Sequence, residues 1–156
     1  ARYEYAAKYV CGKQTDSGDP RLARGHYRTT INVHNPNGEV THFFKKLALS
    51  FPPERQAAGK VFPIAIDQLD YDEALKVDCS EASVALNPNM NQQYIEGYLV
   101  IQSPFSLDVD AVYSSEALAR DGQLLSTTLD VERVDERERK PAPRPDLESG
   151  RRCLSP

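Results

Sequence analysis

The chain has no tryptophan, a single methionine and only three cysteines among its 156 residues. It contains no run of about 18 consecutive apolar residues, so no membrane-spanning helix is predicted. None of the cysteines belongs to a Cys-x-x-Cys pair, which argues against a structural zinc site. The GxSxG and HExxH patterns of hydrolases are also missing. We therefore predict a protein that is not an enzyme and holds no cofactor or metal.

The chain also lacks an excess of basic charge. Its 19 basic and 23 acidic side chains give a net charge of −4. Proteins that bind nucleic acids usually carry a basic patch or stripe, so no nucleic-acid partner is expected. With 40% hydrophobic and 27% charged residues, the composition is that of a globular protein, and the length suits one domain.

Segments of alternating polarity follow one another along the chain. In the segment Gly25–His34, Tyr27, Thr29, Ile31 and Val33 share one face of a strand. The dipeptide Asn37-Gly38 follows, and Asn-Gly between two alternating segments predicts a tight hairpin with a return strand over 39–49.

Further strands are predicted over 3–11, 69–77, 94–103, 107–114 and 125–134, with a long loop over 51–63 and a short helix or crossover over 80–86. In the last strand the apolar parity is predicted to face inward, and it comprises Leu125, Thr127, Leu129 and Val131. Strands with turn signals between them and almost no helical periodicity favour an all-β fold. We predict a two-layer antiparallel, immunoglobulin-like sandwich, with an open barrel as the alternative.

The composition changes after residue 134. Residues 135–140 are all charged, and the prolines Pro141, Pro143 and Pro145 favour an extended polyproline conformation. The predicted organisation is therefore a sandwich domain over 1–134 and an extended tail over 135–156. We expect the tail, which includes Cys153, to dock on a neighbouring copy through a contact that propagates into a filament; packing on its own sandwich is the alternative.

Cysteine usage and the first residue bear on location. A start at Ala1 is compatible with removal of a secretory leader. Export would favour one disulfide and one odd thiol, with Cys11 and Cys79 as the candidate pair, whereas a reducing compartment would leave three thiols. We expect an extracellular or cell-surface protein.

The remaining polar patterns have ordinary explanations. If Asn37 and Gly38 form the turn, His34 pairs with Thr41 and His42 falls on the opposite face, which argues against a histidine metal site. The acidic pairs, Asp108 with Asp110 and Asp130 with Glu132, are read as outward-facing charges with Arg133, Lys45 or Lys46 as partners. Tyr3, Tyr5 and Tyr9 form an aromatic binding stripe, part of the core or an interface.

Several phrases taken together resemble a family of uncharacterised, exported prokaryotic proteins that are expected to be small β-sandwiches. They are Tyr9-Val10-Cys11-Gly12, Gly25-His26-Tyr27, Thr30-Ile31-Asn32-Val33-His34-Asn35-Pro36, Lys45-Lys46, Val77-Asp78-Cys79, Glu96-Gly97-Tyr98-Leu99-Val100-Ile101, Ser103-Pro104, Leu107-Asp108-Val109, Ala111-Val112-Tyr113 and Leu129-Asp130-Val131-Glu132-Arg133-Val134. Cys11 and Cys79 match the family's pattern, whereas the tail with Cys153 does not. The resemblance implies a fold and an exported location, and no activity.

Two functions follow from these observations. The first is a non-enzymatic extracellular structural subunit that associates with copies of itself through open sandwich edges. The alternative is a module that binds or hydrolyses cell-surface polysaccharide with its tyrosines and acidic strand faces.

Overall fold

The structure is a computed structural model, and it describes residues 1–14, 22–50, 57–81 and 94–140. Nine strands account for most of these residues. They are β1 (Tyr3–Gln14), β2 (Gly25–His34), β3 (Thr41–Ser50), β4 (Ala58–Leu69), β5 (Ala74–Val77), β6 (Tyr94–Ser103), β7 (Asp108–Leu118), β8 (Leu124–Arg133) and β9 (Glu136–Glu138). The predicted all-β sandwich is confirmed, while its immunoglobulin-like character stays a prediction.

The strands form one antiparallel sheet, in the order β4-β3-β6-β1-β2-β7-β8, that divides into two layers between β1 and β2. β1 pairs with β6 over ten residues but with β2 over only three, Gly12 to Gln14. Beyond those three residues the two strands diverge, and β5 takes the free side of β2 while β9 pairs with the start of β1. One layer is therefore β4-β3-β6-β1-β9 and the other is β5-β2-β7-β8.

The backbone of β1 is satisfied at the point of divergence by a side chain. The Thr29 hydroxyl accepts a hydrogen bond from Val10 N and donates one to Val10 O, both at 3.0 Å. Thr29 is fully buried. Because a buried backbone group without a partner is costly, this hydroxyl allows the two layers to separate without leaving Val10 unsatisfied.

Alternate residues of both layers meet in a single core, as the period of two in a strand requires. Its largest buried side chains include two of the three tyrosines of β1, Tyr5 and Tyr9. The rest of the core is mostly aliphatic and includes Ile31, Val33, Phe43, Leu47, Val77, Leu99, Ile101 and Val109.

The predicted hairpin at Asn37 and Gly38 is wrong. β2 pairs with β1, β5 and β7, and β3 pairs with β4 and β6, so residues 35–40 connect the two layers. Neither Asn37 nor Gly38 has the positive φ that the expected turn requires. Asn35 organises the connection instead, because its buried side chain donates to Glu39 O at 2.9 Å and Leu69 O at 3.1 Å.

The tight hairpin lies elsewhere, between β7 and β8. Ala119 N donates to Gln123 O at 2.8 Å, and Gly122 has a φ of +86°. Asp121-Gly122 is the same type of signal as Asn-Gly, and sequence reasoning did not use it. β4 was also missed, because Gly59 and Pro63 led us to predict a loop across its first half.

The sandwich extends beyond the predicted boundary at residue 134. Glu136–Glu138 forms β9 on the start of β1, and the Tyr5 hydroxyl donates to Glu136 Oε2 at 2.5 Å. The predicted tail therefore begins with a strand of the domain itself. Pro141, Pro143, Pro145 and Cys153 lie outside the described residues. Within the described part of the chain, no helix is long and apolar enough to cross a membrane.

Candidate functional site: strand β8 and its outer face

β8 is an edge strand with its polarity reversed relative to the rest of the sandwich. Among the described strands it pairs with β7 alone. Asp130 lies opposite Tyr113 and Glu132 lies opposite Ala111, and both of these β7 residues point to the core side of the sheet. Thr127, Leu129 and Val131 therefore lie on the outer face, which corrects the sequence prediction that the parity of Leu125, Thr127, Leu129 and Val131 points inward. The prediction that Asp130 and Glu132 face outward is wrong for the same reason. All ten residues of β8 are exposed.

Three large apolar side chains of β8 are exposed, Leu125, Leu129 and Val131, and Leu129 is 71% exposed. Leu129 and Val131 lie on the outer face, and Leu125 lies at the register shift with β7. Val112 lies directly opposite Val131 on β7 and extends this apolar surface. We call these four residues the β8 face. Antiparallel sheets usually place their apolar face toward the core and their polar face toward water, so this arrangement is the reverse of the usual one.

The polar side of β8 makes short contacts with β7. The Tyr113 hydroxyl donates to Glu132 Oε2 at 2.7 Å, and Ser115 Oγ lies 2.5 Å from Thr128 Oγ1. Burial and the Glu132 carboxylate raise the pKa of Tyr113 above its ordinary value. These contacts fix the register of β8 on β7. The register in turn determines on which side of the sheet the apolar side chains of β8 lie.

A charged cluster closes one end of the β8 face. His34 Nδ1 lies 2.9 Å from Asp108 Oδ2, and its Nε2 lies 2.9 Å from Asp72 Oδ1. Arg133, the last residue of β8, forms ion pairs with Asp108 and with Asp110, the latter at 3.5 Å. The Asp108 and Asp110 carboxylates thus pair with Arg133, as the sequence favoured.

The cluster shifts the titration of its members in opposite directions. Hydrogen bonds to Asp108 and then to Asp72 raise the pKa of His34. Hydrogen bonds from Arg133 and then from His34 lower the pKa of Asp108. Each partner favours the charged form of the other, which is the expected effect of opposite charges in contact.

The histidines are not arranged as the hairpin register predicted. His34 faces Asp108 on β7 and Ala74 on β5 rather than Thr41, and His42 lies opposite Gln68 on β4. The described residues contain no group of three or more His, Cys, Asp or Glu side chains that could hold a metal ion.

Cys11 and Cys79 are joined by a disulfide in the structure. Their α-carbons are 5.7 Å apart, inside the limit of about 7 Å for such a bond. Cys11 lies on β1 and Cys79 follows β5, so the bond joins the two layers close to where they diverge. Tyr9 supports the same region, since its hydroxyl donates to Asp78 O at 2.8 Å.

The three tyrosines of β1 do not form an exposed stripe. Tyr5 and Tyr9 are buried in the core, and Tyr3 is partly buried against it. The Tyr5 hydroxyl accepts a hydrogen bond from Leu107 N at 2.7 Å. Burial and the bond to Glu136 raise the pKa of Tyr5 to about 12. Of the interpretations of these tyrosines, the structure favours core packing.

The sequence comparisons provide no family. No protein-family model matches the chain, and no curated protein matches it. Among solved structures, the crystal structure of Thermotoga maritima 1070 is similar over 86% of this chain and 93% of that chain, with 9% identity and a TM-score of 0.48. The resemblance to an exported β-sandwich family therefore stays an expectation.

Proposed function

We propose that the protein is a non-enzymatic structural subunit that associates with copies of itself through β8. The proposal rests on the reversed polarity of this strand. Its apolar residues face outward, and no described part of the chain covers them. An exposed apolar row on a sheet edge favours association, because burial of that surface is stabilising.

β8 is also the sheet edge best able to accept another strand. Its pairing with β7 is regular from Arg133 to Ser126. β4, the opposite edge, contains Pro63 and two register shifts, which are features that discourage strand addition. β5 and β9 are only four and three residues long. A second β8 is therefore the most suitable partner for β8.

Antiparallel pairing of two β8 strands about a twofold axis at Thr128 suits the sequence. In this register Leu125 of one copy lies opposite Val131 of the other, and Thr127 lies opposite Leu129. Asp130 lies opposite Ser126, so no carboxylate faces another carboxylate directly. Such a contact uses the same surface on both copies, as a twofold dimer requires.

Backbone and side-chain contacts together can support a reversible dimer. In strand addition the apolar side chains stay on the outer face of the extended sheet, where each apolar cross-strand pair contributes about 0.2–1 kcal/mol. Association costs at least about 4 kcal/mol in lost translational and rotational freedom. The backbone hydrogen bonds of strand addition offset most of this cost, and the cross-strand contacts of Leu125, Leu129 and Val131 add to them.

An extracellular location is part of the proposal, and the Cys11–Cys79 disulfide supports it because such bonds persist in oxidising compartments. The filament remains the proposed larger assembly, with the tail and Cys153 as its second contact. The polysaccharide alternative loses support from the burial of Tyr5 and Tyr9 and from the pairing of Asp108 with Arg133.

The test compares two variants of equally exposed residues. Leu129→Lys places a charge in the β8 face, whereas Ile66→Lys makes the same kind of change on β4, where Ile66 is also 71% exposed. The molar mass of the full chain is measured by light scattering coupled to size exclusion. We expect a dimer or larger species for the wild type and Ile66→Lys, and a monomer for Leu129→Lys.

A monomeric wild type at every concentration would contradict the proposal. If both variants dissociate, the contact joins β8 to β4 of the next copy, which would replace the twofold dimer by a propagating chain. If neither dissociates, the association uses another surface.

A further inference from the structure

Lys45 lies where the pattern of β3 requires an apolar residue. Its neighbours on the inward face of the strand are Phe43 and Leu47, and Lys45 is only 2% exposed. Lysine is almost never buried to this degree unless its ammonium group is paired.

Two carboxylates surround the Lys45 ammonium group. Nζ lies 2.6 Å from Oδ2 of Asp67 on β4 and 2.6 Å from Oε2 of Glu81. Glu81 comes two residues after Cys79, so the disulfide helps to position it. Asp67 belongs to the same inward face as Lys45, because its cross-strand partner is the buried Phe43.

The two contacts differ in kind. Nζ donates a hydrogen bond to Glu81 Oε2, but its approach to Asp67 lacks hydrogen-bond alignment. Asp67 Oδ2 is buried and has no hydrogen-bond partner among the described residues. The Lys45 nitrogen thus lies against the Asp67 carboxyl group, while its hydrogen bond goes to Glu81.

Stability alone is a weak reason for this arrangement. Replacing a buried ion pair with apolar residues of similar volume is often neutral or stabilising. A second carboxylate adds a negative charge that one ammonium group does not balance. The group does, however, contain a nucleophile, an electrophile and a proton acceptor within contact distance of one another.

We propose that Lys45 and Asp67 form an intramolecular amide bond, with Glu81 as the catalytic acid and base. Glu81 relays a proton from the Lys45 ammonium group to the Asp67 carboxylate, and the free amine attacks Cγ of the resulting carboxylic acid. The new C–N bond replaces one C–O bond, and the departing oxygen leaves as water with two of the three ammonium protons. The reaction consumes no cofactor or oxidant.

Proximity provides the driving force for a condensation that is unfavourable between free molecules in water. Reacting groups held in contact reach effective concentrations of about 10⁵–10⁸ M. At 2.6 Å, Glu81 is within the range for direct proton transfer to and from Lys45. The bond would join the edge strand β4 covalently to β3, next to the register shift that follows Lys45. This inference is independent of association through β8.

The test is the mass of the purified full chain, measured by intact-protein mass spectrometry after reduction of its cysteines. We expect the wild type to be lighter than its sequence by one water. Trypsin should then release a branched peptide that joins residues 29–46 to residues 61–76, since an acylated Lys45 resists cleavage. The full sequence mass in folded protein would overturn the proposal.

Peptide mapping excludes another source of water loss. Asp121-Gly122 can lose water by forming a succinimide, and mapping of the loss to that dipeptide would also overturn the proposal. Lys45→Met and Glu81→Gln should have their full sequence masses. Lys46→Met is the matched control, because it removes the adjacent lysine on the outer face of β3 and should still lose one water.

Discussion

His34 and Asp108 face each other across β2 and β7, with His34 Nδ1 2.9 Å from Asp108 Oδ2. The raised pKa of His34 means that its contribution to stability is complete below its ordinary pKa of 6.5 and is lost as pH rises through the raised value. The lowered pKa of Asp108 means that its contribution is present above 3.8 and is lost as pH falls through the lowered value. The pair is therefore most stabilising between these two ordinary values.

We expect His34→Gln to remove the decline in stability above pH 6.5. The melting temperature of the wild type should fall as pH rises through that region, and that of the variant should fall less. His42→Gln, on the exposed side of β3, is the control and should keep the wild-type profile. Parallel profiles for the wild type and His34→Gln would show that the contact has no influence on stability.

The disulfide should be a major source of stability. It closes a loop with a sequence separation of 68 residues, for which the chain-entropy model predicts about 4 kcal/mol. We expect Cys11→Ala combined with Cys79→Ala to lower the free energy of unfolding in urea by about this amount. Cys153→Ser should have no such effect, and equal stability of the double variant and the wild type would contradict the expectation.

Two glycines should respond in opposite ways to alanine. Gly122 has a positive φ, so Gly122→Ala should cost about 1–2 kcal/mol. Gly38 has no positive φ, and no atom of the described residues lies within 4 Å of an added Cβ, so Gly38→Ala should be neutral or slightly stabilising. The free energy of unfolding of both variants is measured in urea. A larger loss for Gly38→Ala than for Gly122→Ala would support a tight hairpin turn at Asn37-Gly38.

Removal of the tail should have different effects depending on where it begins. A chain that ends at residue 140 keeps β9, and we expect wild-type stability but loss of assemblies larger than the dimer. A chain that ends at residue 134 also loses the Tyr5–Glu136 hydrogen bond, which should cost about 1–3 kcal/mol. Equal stability of the two chains would mean that β9 contributes nothing.

Local sequence pattern predicted the strands more reliably than their partners. Gly25–His34 and Tyr94–Ser103 have the predicted bounds, because clear alternation and nearby turn residues mark them. The hairpin failed because β2 finds a ten-residue partner in β7, and the sequence between β2 and β3 does not reveal that distant pairing. The hydrogen bonds from Asn35 to Leu69 O and Asp70 O are likewise long-range.

The candidate site was only half predictable. Alternation correctly placed Leu129 and Val131 on one face, but it cannot say on which side of the sheet that face lies. The Lys45 group was missed because Lys45, Asp67 and Glu81 are distant in sequence and meet only through the pairing of β3 with β4 and the position of Cys79. A lysine at an inward strand position was the one available signal.

The most direct test of association through β8 is amide hydrogen exchange at increasing protein concentration. Half of the backbone groups of an edge strand lack a partner, so a second copy should protect them. We expect protection over Leu124–Arg133 to rise with concentration while protection over Ala58–Leu69, the opposite edge, stays constant. Exchange over Leu124–Arg133 that does not change with concentration would contradict the account.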